Sequence, residues 1–345
     1  MNKGMNNNGM SKEVKEYILK GIVVLASLVV LLILVNLLYI HLSREFNDNY
    51  GNELEYERFL KSNFSEVQYI FFGTSHAIHG VNISMFNDSL DFARSGGRYV
   101  EDYYVLKKMT QSDVKIDRVV IEFDEHSFLS YDITESIIIK KLFAFTTFIN
   151  TSEVKMICPQ CGFPELVINR YLPVIGRGNE LVDGMLDAIG VLHARSPSLN
   201  DWSQSTTKDQ DGVIAWDRFD PQDRQPIGNT SLEYFLKILE LAKENNISVV
   251  LIKYPVSPQY DAAIRNMSFD KHPFYDQLMQ AVNQTLGDNY TLLDYQEIYY
   301  NQLDLLQDPH HLNDKGTWIL SQKIYNDTHA DSQLTQAAIA NQTVQ

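Results

Sequence analysis

Cysteine is scarce in this chain, which has only two among 345 residues, Cys158 and Cys161. A structural zinc site needs a second pair of ligands, and no second cysteine pair exists to provide it. A thioredoxin-like redox role is disfavoured because no strand-like run leads into the Cys-Pro-Gln-Cys segment. In an exported domain the two cysteines are expected to form a local disulfide, and two free thiols are the alternative.

Basic residues are also few. Lysine and arginine together number 29, against 44 aspartates and glutamates, and the net charge is −15. Because no basic stripe is available to neutralise phosphates, we expect no nucleic-acid partner. The negative charge favours solubility and by itself indicates no function. No internal repeat is visible, which excludes a repeat architecture.

One long hydrophobic run is present, at residues 21–40, and it contains no charged residue. Its length matches the hydrocarbon core of a bilayer, so it predicts a transmembrane helix and the lipid bilayer as a partner. A signal peptide is the alternative. The run is too long for one, and the following His41-Leu42-Ser43-Arg44 is unsuitable as a cleavage site. We therefore expect a retained anchor.

The lysines around this run predict its orientation. Four precede it (Lys3, Lys12, Lys15 and Lys20), whereas only Arg44 closely follows it. The positive-inside rule then places residues 1–20 in the cytoplasm as a tail and the rest of the chain outside. Residues 41–65 are charged and are interpreted as a stalk or juxtamembrane helix.

Asn-x-Ser/Thr sequons are unusually frequent after the anchor. Eleven of the twenty asparagines there begin a sequon, and none of the five before its end does. Serine and threonine make up 39 of the 345 residues, so about two such sequons are expected by chance. The excess predicts N-glycosylation of an exported face. The positions are Asn63, Asn82, Asn87, Asn150, Asn229, Asn246, Asn266, Asn283, Asn289, Asn326 and Asn341.

From residue 66 onward, short apolar runs alternate with amphipathic segments. The runs at 67–72, 118–123, 247–254 and 290–293 predict strands, and the segments at 99–111, 231–245, 273–286 and 314–326 predict helices. This alternation is typical of an α/β fold with a parallel sheet and helices on both faces. We assign residues 66–326 to one domain with a large insertion at about 128–230. Residues 327–345, low in large apolar side chains, are expected to be a flexible tail.

Two short segments carry candidate catalytic residues. The apolar run before Gly73-Thr74-Ser75-His76 places Ser75 at the end of a buried strand, with a helix behind it whose N–H groups would face a reacting group. Asp308 and His311 lie three residues apart near the last predicted helix. A serine hydroxyl needs an imidazole to accept its proton, and a carboxylate fixes the tautomer of that imidazole. The pattern predicts a serine hydrolase or acyltransferase.

These segments resemble the SGNH (GDSL-like) hydrolase superfamily, in particular its membrane-anchored branch related to cell-envelope glycan O-acylation. Gly73-Thr74-Ser75 is similar to the first block, residues 91–97 to the second, and Asp308-x-x-His311 to the last. The resemblance implies a three-layer α/β/α, flavodoxin-like fold. It also implies that Ser75 is the nucleophile, His311 the base and Asp308 its orienting carboxylate. Gly96 and the Ser75 N–H would bind the oxyanion.

The third block departs from the family pattern. Where the family has Gly-x-Asn, with the Asn amide as an oxyanion donor, this chain has Phe123-Asp124-Glu125-His126. His126 lies near the Asn position and can donate, but the acidic pair beside it opposes a developing negative charge. Loss of one oxyanion donor costs about 3 kcal/mol.

Other residues near the predicted site are candidate substrate contacts, and some of them have an alternative structural role. His76 either contacts substrate or packs, and Asp124 is a second possible substrate contact. Trp202 and Trp216, in the insertion, either stack on sugars or belong to an apolar core. Asp124, Glu125 and His126 could ligate a metal, but no second ligand cluster is visible in the sequence, so we expect no metal and no cofactor.

The resemblance therefore implies a serine esterase or O-acyltransferase that acts on acyl esters of surface glycans. A multi-span membrane acyltransferase is a possible partner. The alternative is a catalytically weak glycan-binding or scaffold protein that retains the fold.

Overall fold

The structure is a computed structural model of the 345-residue chain. It describes residues 11–46, 51–61, 66–94, 96–128, 229–266 and 271–342, together with residues 148, 152–153, 171–175, 181–182 and 184–186. Cys158, Cys161, Trp202 and Trp216 lie outside the described residues, as does most of the predicted insertion. The predictions made for them stay predictions.

A five-stranded parallel sheet forms the centre of the domain, with strand order β2-β1-β3-β4-β5. Its strands are β1 (Glu66–Phe72), β2 (Ser89–Asp91), β3 (Lys115–Glu122), β4 (Ser248–Lys253) and β5 (Tyr290–Asp294). The apolar runs that form β1, β3 and β4 suit strands whose two faces are both covered. A separate antiparallel pair consists of β6 (Leu306–Asp308) and β7 (His311–Leu312).

Helices precede, connect and cover the strands. They are α1 (Lys12–Phe46), α2 (Gly51–Lys61), α3 (Ser75–Gly80), α4 (Tyr99–Met109), α5 (Glu125–Phe128), α6 (Asn229–Glu244), α7 (Pro258–Asn266), α8 (Lys271–Leu286) and α9 (Asp314–Gln342). Short 3-10 turns occupy Ile83–Met85 and Leu303–Leu305. The four predicted strands and the four predicted helices all appear, with ends shifted by a few residues except that α9 continues well past 326.

The side chains of β1 alternate between two hydrophobic clusters, as the two-residue period of a strand requires. Ile70 and Phe72 belong to the cluster formed with α4, α6 and α8. Tyr69 and Phe71 belong to the cluster formed with α3 and α9. Each fully buried side chain of this size contributes about 1.5–3 kcal/mol to the hydrophobic stabilisation. The predicted α/β class, with a parallel sheet, is confirmed.

Within the described ranges, α1 is the one helix that is long and apolar enough to cross a membrane. An 18-residue window of Lys12–Leu42 reaches a mean hydropathy of 3.0, and none of that window is buried. By its length and composition, α1 agrees with the transmembrane helix predicted from the apolar run at residues 21–40.

Two segments outside the predicted domain bounds contribute to its buried interior. The charged segment, interpreted as a stalk or juxtamembrane helix, contains α2, which packs Tyr56 and Phe59 into the domain core. Glu55 of the same helix accepts a hydrogen bond from the Asp91 N–H. At the other end, α9 continues past residue 326 and buries Thr328, whose hydroxyl is 3.1 Å from that of Tyr69. The first turn of the expected tail is therefore part of the domain.

Candidate functional site

A sharp turn at the end of β1 presents Ser75. Gly73 has φ +149°, and a Cβ there would lie 2.6 Å from a Glu122 carboxylate oxygen and 2.8 Å from the Ala77 side chain. Only glycine fits such a close approach. Thr74 then caps α3 by accepting a hydrogen bond from the His76 N–H, and Ser75 is the first residue of the helix. Ser75, which is half-buried, thus stands at the first position of α3 directly after the turn.

This turn lies where ligands usually bind in open parallel sheets. The chain passes from β1 to β2 on one side and then to β3 on the other, so the strand order reverses between β1 and β3. Crevices at the carboxyl ends of strands at such a reversal are common binding sites. Ser75 follows β1, and Asp124 follows β3, at this edge.

The structure brings together the three predicted members of a catalytic triad. His311 Nε2 lies 2.8 Å from Ser75 Oγ, and His311 Nδ1 lies 2.7 Å from Asp308 Oδ2. Ser75 and His311 are 236 residues apart in the sequence. The line of atoms from Oγ through the imidazole to the carboxylate is the arrangement that activates a serine.

The environment of the triad favours one protonation state. Burial opposes ionisation of Asp308, but hydrogen bonds from His311 and from two backbone N–H groups outweigh it and lower the Asp308 pKa. The ionised carboxylate only accepts, so His311 Nδ1–H is the donor and Nε2 accepts from the Ser75 hydroxyl. Burial, opposed by Asp308, lowers the His311 pKa below its usual value, so His311 is neutral at pH 7.

The β6–β7 pair fixes the positions of Asp308 and His311. The Asp308 Oδ1 atom accepts from the backbone N–H groups of His310 (3.0 Å) and His311 (2.9 Å). The Asn313 side chain donates to the Asp304 carbonyl (2.8 Å) and accepts from the Gly316 N–H (3.0 Å), which closes the loop onto α9. Asp308 therefore fixes both the His311 imidazole and the backbone of His310 and His311.

A second histidine–aspartate pair lies beside the triad. His76 Nδ1 is 2.8 Å from Asp124 Oδ2, and its ring is 5.5 Å from that of His311, centroid to centroid. His76 is only 3% exposed. The structure therefore packs His76 inside the protein, and its contact with Asp124 engages both residues that the sequence analysis offered as substrate contacts.

Glu122 supports this pair and the Ser75 turn together. It is fully buried, and its carboxylate accepts from the Thr74 N–H (2.6 Å), the Thr74 hydroxyl (2.8 Å) and the Ser127 hydroxyl (2.8 Å). Burial and the Asp124 charge raise the Glu122 pKa to about 7. Burial alone would lower the His76 pKa, but Asp124 and Glu122 outweigh it and raise the pKa above its usual value.

Of the predicted oxyanion residues Gly96 and His126, the structure describes the backbone of the first but not the side chain of the second. Gly96 lies in an exposed turn with φ +62°. The adjoining Gly97 packs so closely on the Ser75 turn that a Cβ would lie 2.5 Å from the Gly73 carbonyl oxygen, and the Arg94 N–H donates to that oxygen at 3.0 Å. The second block therefore abuts the first. His126 belongs to α5, and its side chain lies outside the described residues.

Several residues at the site have no functional role predicted from the sequence. Glu122 is one, although an acidic residue within the apolar run of β3 was a signal for it. His79 is another, with its ring 4.8 Å from that of His311 and its Nδ1 accepting from the Gln307 amide. His310 stacks on Tyr260 at 4.9 Å. No spacing in the sequence indicates these last contacts.

The described residues contain two groups that could hold a metal ion. One is His76, His310 and His311; the other is His76, Glu122 and Asp124; within each group the ligand atoms lie within 4.8 Å of one another. A metal in the first group would compete with the contacts of His311 to Ser75 and Asp308, and one in the second group with the hydrogen bond between His76 and Asp124. The expected absence of metal and cofactor stays a prediction.

Comparison with known proteins does not assign the chain to a family. Neither a protein-family model nor a curated protein matches the chain.

Proposed function

We propose that this protein is a membrane-anchored serine esterase or O-acyltransferase that transfers or removes acyl groups on cell-surface glycans. The observation that carries the proposal is the hydrogen-bonded line from the Ser75 hydroxyl through His311 to Asp308. A neutral imidazole that accepts from a serine hydroxyl, with an ionised carboxylate behind it, has the polarity that nucleophilic catalysis needs.

The proposed reaction passes through an acyl-enzyme. Ser75 Oγ attacks the ester carbonyl carbon while His311 Nε2 accepts its proton. The tetrahedral intermediate then expels the alcohol, which takes the proton from His311, and the acyl group stays on Ser75. Water or a sugar hydroxyl attacks next, His311 accepts that proton, and Ser75 regains it as the acyl group leaves. Hydrolysis and transfer differ only in the second acceptor.

The proposed oxyanion donors are the N–H groups of Ser75 and Gly96 and the side chain of His126. The first N–H groups of a helix have no partner within the helix, and this suits Ser75 at the start of α3. The close packing of Gly97 against the Gly73 carbonyl supports a position for Gly96 near the nucleophile.

The fold is proposed to be the three-layer, flavodoxin-like arrangement of the SGNH superfamily. The strand order β2-β1-β3-β4-β5 is the order of flavodoxin-like sheets, and it supports this assignment. The two hydrophobic clusters on opposite sides of β1 are consistent with it.

The proposed location is a single-pass anchor with a cytoplasmic N-terminus and an extracytoplasmic domain. The lysines before α1 support this orientation. Of the six sequon asparagines whose side chains are described, all but the half-buried Asn82 are exposed, as a glycan requires: Asn87, Asn246, Asn283, Asn289 and Asn326. A multi-span membrane acyltransferase that supplies acyl groups is the proposed partner if the reaction is transfer.

The alternative function is a catalytically weak glycan-binding or scaffold protein. The altered third block favours it, because Asp124 and Glu125 directly precede His126, the expected oxyanion donor, and their charge would oppose a developing negative charge. In that case the triad would be retained without turnover.

Hydrolysis of a series of p-nitrophenyl esters distinguishes the proposed enzyme from the glycan-binding or scaffold protein. The full chain, purified in detergent, is compared with Ser75→Ala and with the matched control Ser112→Ala, which lies just before β3 at the opposite edge of the sheet. We expect hydrolysis by the wild type and by Ser112→Ala, and none above background by Ser75→Ala. Equal rates for the wild type and Ser75→Ala would reject the enzyme and favour the scaffold.

A further inference from the structure

One face of α1 is covered near its C-terminal end. Asn36, Tyr39 and Leu42 are buried, although most of the preceding helix is exposed. Residues spaced by three along a helix lie on one face. A narrow stripe of the apolar helix is therefore in contact with another part of the chain.

A segment of the predicted insertion makes this contact. We call its described residues, 171–175, 181–182 and 184–186, the insertion arm. The Asn36 side-chain amide donates to the Tyr171 carbonyl at 3.1 Å, and its oxygen accepts from the Val174 N–H at 3.3 Å. Tyr39 packs against Val174 and Leu181.

The arm approaches α1 most closely at Gly184. A Cβ at Gly184 would lie 3.2 Å from the Leu42 side chain, which is tighter than ordinary contact. Small residues are typical where a backbone packs against a membrane helix. The arm is thus packed along two turns of the helix by hydrogen bonds and by close contact.

The arm also exposes large apolar side chains. Tyr171, Ile175, Val182 and Met185 are each between 44% and 65% exposed. The arm is hydrogen-bonded to α1 at Asn36, and Leu34, Leu37 and Leu38 in this part of α1 are exposed as well. Apolar side chains gathered at one place are expected to be covered by a partner, and here they adjoin a surface suited to lipid.

The depth of the contact indicates which lipid region covers it. Asn36 lies four residues before the end of the apolar run, and a rise of about 1.5 Å per residue places it roughly 6 Å inside that end. A side-chain amide at this depth needs internal partners, because no water is available in the hydrocarbon. The backbone of the arm supplies them, and Asn36 in turn satisfies two backbone groups of the arm.

We propose that the insertion arm is a second membrane contact, seated in the interface of the leaflet next to the catalytic domain, with the lipid bilayer as its partner. The inference rests on α1 spanning the membrane and is independent of the esterase activity. A tyrosine and aliphatic side chains at the end of a spanning helix are the composition of an interfacial anchor. The catalytic domain is then tied to the bilayer at the arm as well as at α1.

Photolabelling from within the bilayer tests the proposal on the wild-type full chain. The protein is reconstituted into phosphatidylcholine vesicles containing a lipid with a diazirine on its acyl chain, and adducts are mapped by peptide mass spectrometry. We expect adducts on α1 and on the arm, and none on α6, a helix of the catalytic domain. Labelling of α1 without labelling of the arm would overturn the proposal. Absence of labelling on α1 would remove its premise and overturn it too.

Asn36→Leu sharpens the test, with Ser27→Leu as the matched control. Ser27 is on the same helix, but its hydroxyl bonds to the Val23 carbonyl within α1. We expect Asn36→Leu to lose most of the adducts on the arm while it keeps those on α1, and Ser27→Leu to keep both. Undiminished arm labelling in Asn36→Leu would contradict the role of Asn36 in seating the arm.

Discussion

Two histidine–aspartate pairs stand side by side at the carboxyl edge of the sheet, and they differ in what surrounds the imidazole. In one pair His311 Nδ1 is 2.7 Å from Asp308, and its other nitrogen lies against the Ser75 hydroxyl. In the other pair His76 Nδ1 is 2.8 Å from Asp124, with the Glu122 carboxylate also 3.8 Å away.

The difference changes the charge of the ring. Burial lowers the His311 pKa, and the neighbouring His76 and His79 lower it further. For His76, burial acts in the same direction, but two carboxylates outweigh it and raise the pKa. The same residue pair can therefore supply a neutral base in one place and a buried, charge-balanced support in the other. In the proposed reaction His311 transfers the proton, and we assign His76 the role of a positioning residue.

The largest expected effect is the loss of kcat/KM when His311 or His76 is replaced by alanine. We expect His311→Ala to lower kcat/KM for an activated ester by about 10³-fold, because the serine loses its base. We expect His76→Ala to lower it by at most about 10²-fold, through misplacement of the Ser75 turn. Both variants are measured beside wild type, with circular dichroism to confirm folding. A loss for His76→Ala as large as that for His311→Ala would erase the distinction between the pairs.

The next effect is on stability and comes from Glu122→Gln. The glutamate accepts three hydrogen bonds in a fully buried position, and an amide cannot accept them all. We expect the free energy of unfolding to fall by about 1–3 kcal/mol. Chemical denaturation measures it, with Glu244→Gln on the exposed end of α6 as the control. Equal stability of Glu122→Gln and wild type would show that the carboxylate does not hold the turn.

A smaller effect is a displaced pH profile. His311 must be neutral to accept the serine proton, so activity should fall as the pH decreases through its pKa, below the usual histidine value of 6.5. His76 lowers that pKa through its charge. His76→Ala should therefore move the acid limb of kcat/KM to higher pH. A limb that stays in place, or moves down, would contradict the electrostatic coupling of the two pairs.

The smallest expected effect is that of His126→Asn. This change restores the amide that the SGNH pattern has at the third block, so esterase activity should hold or rise modestly if that position faces the oxyanion. The same ester assay measures it, with His126→Ala beside it as the control. If His126→Asn and His126→Ala both lose activity equally, the imidazole itself is required.

The sequence predicted the triad and the central strands for a physical reason. Buried parallel strands are continuous apolar runs, and their carboxyl ends meet at one edge, so Ser75 and the third block could be placed together from spacing alone. The edge strand β2 was missed because it has only three residues. The core packing of α2 was missed because its charged residues mask the two side chains that enter the core, Tyr56 and Phe59.

The contacts of His76 with Asp124 and of the insertion arm with α1 could not be predicted from the sequence. The contact between His76 and Asp124 joins residues 48 apart, and that between Asn36 and Tyr171 joins residues 135 apart. Neither pair shares a strand or a helix face. Such contacts depend on how whole elements pack, and a local pattern does not encode them. An acidic residue in the apolar strand β3 and an asparagine in the apolar helix α1 were the only local signals.

Covalent labelling shows whether His311 and Asp308 activate the Ser75 hydroxyl. The full-length protein is treated with a fluorophosphonate, which reacts with activated serines, and the adduct is located by peptide mass spectrometry. We expect one adduct, on Ser75, that His311→Ala abolishes and His76→Ala retains. An unlabelled wild type, or an adduct on Ser75 that survives in His311→Ala, would contradict it.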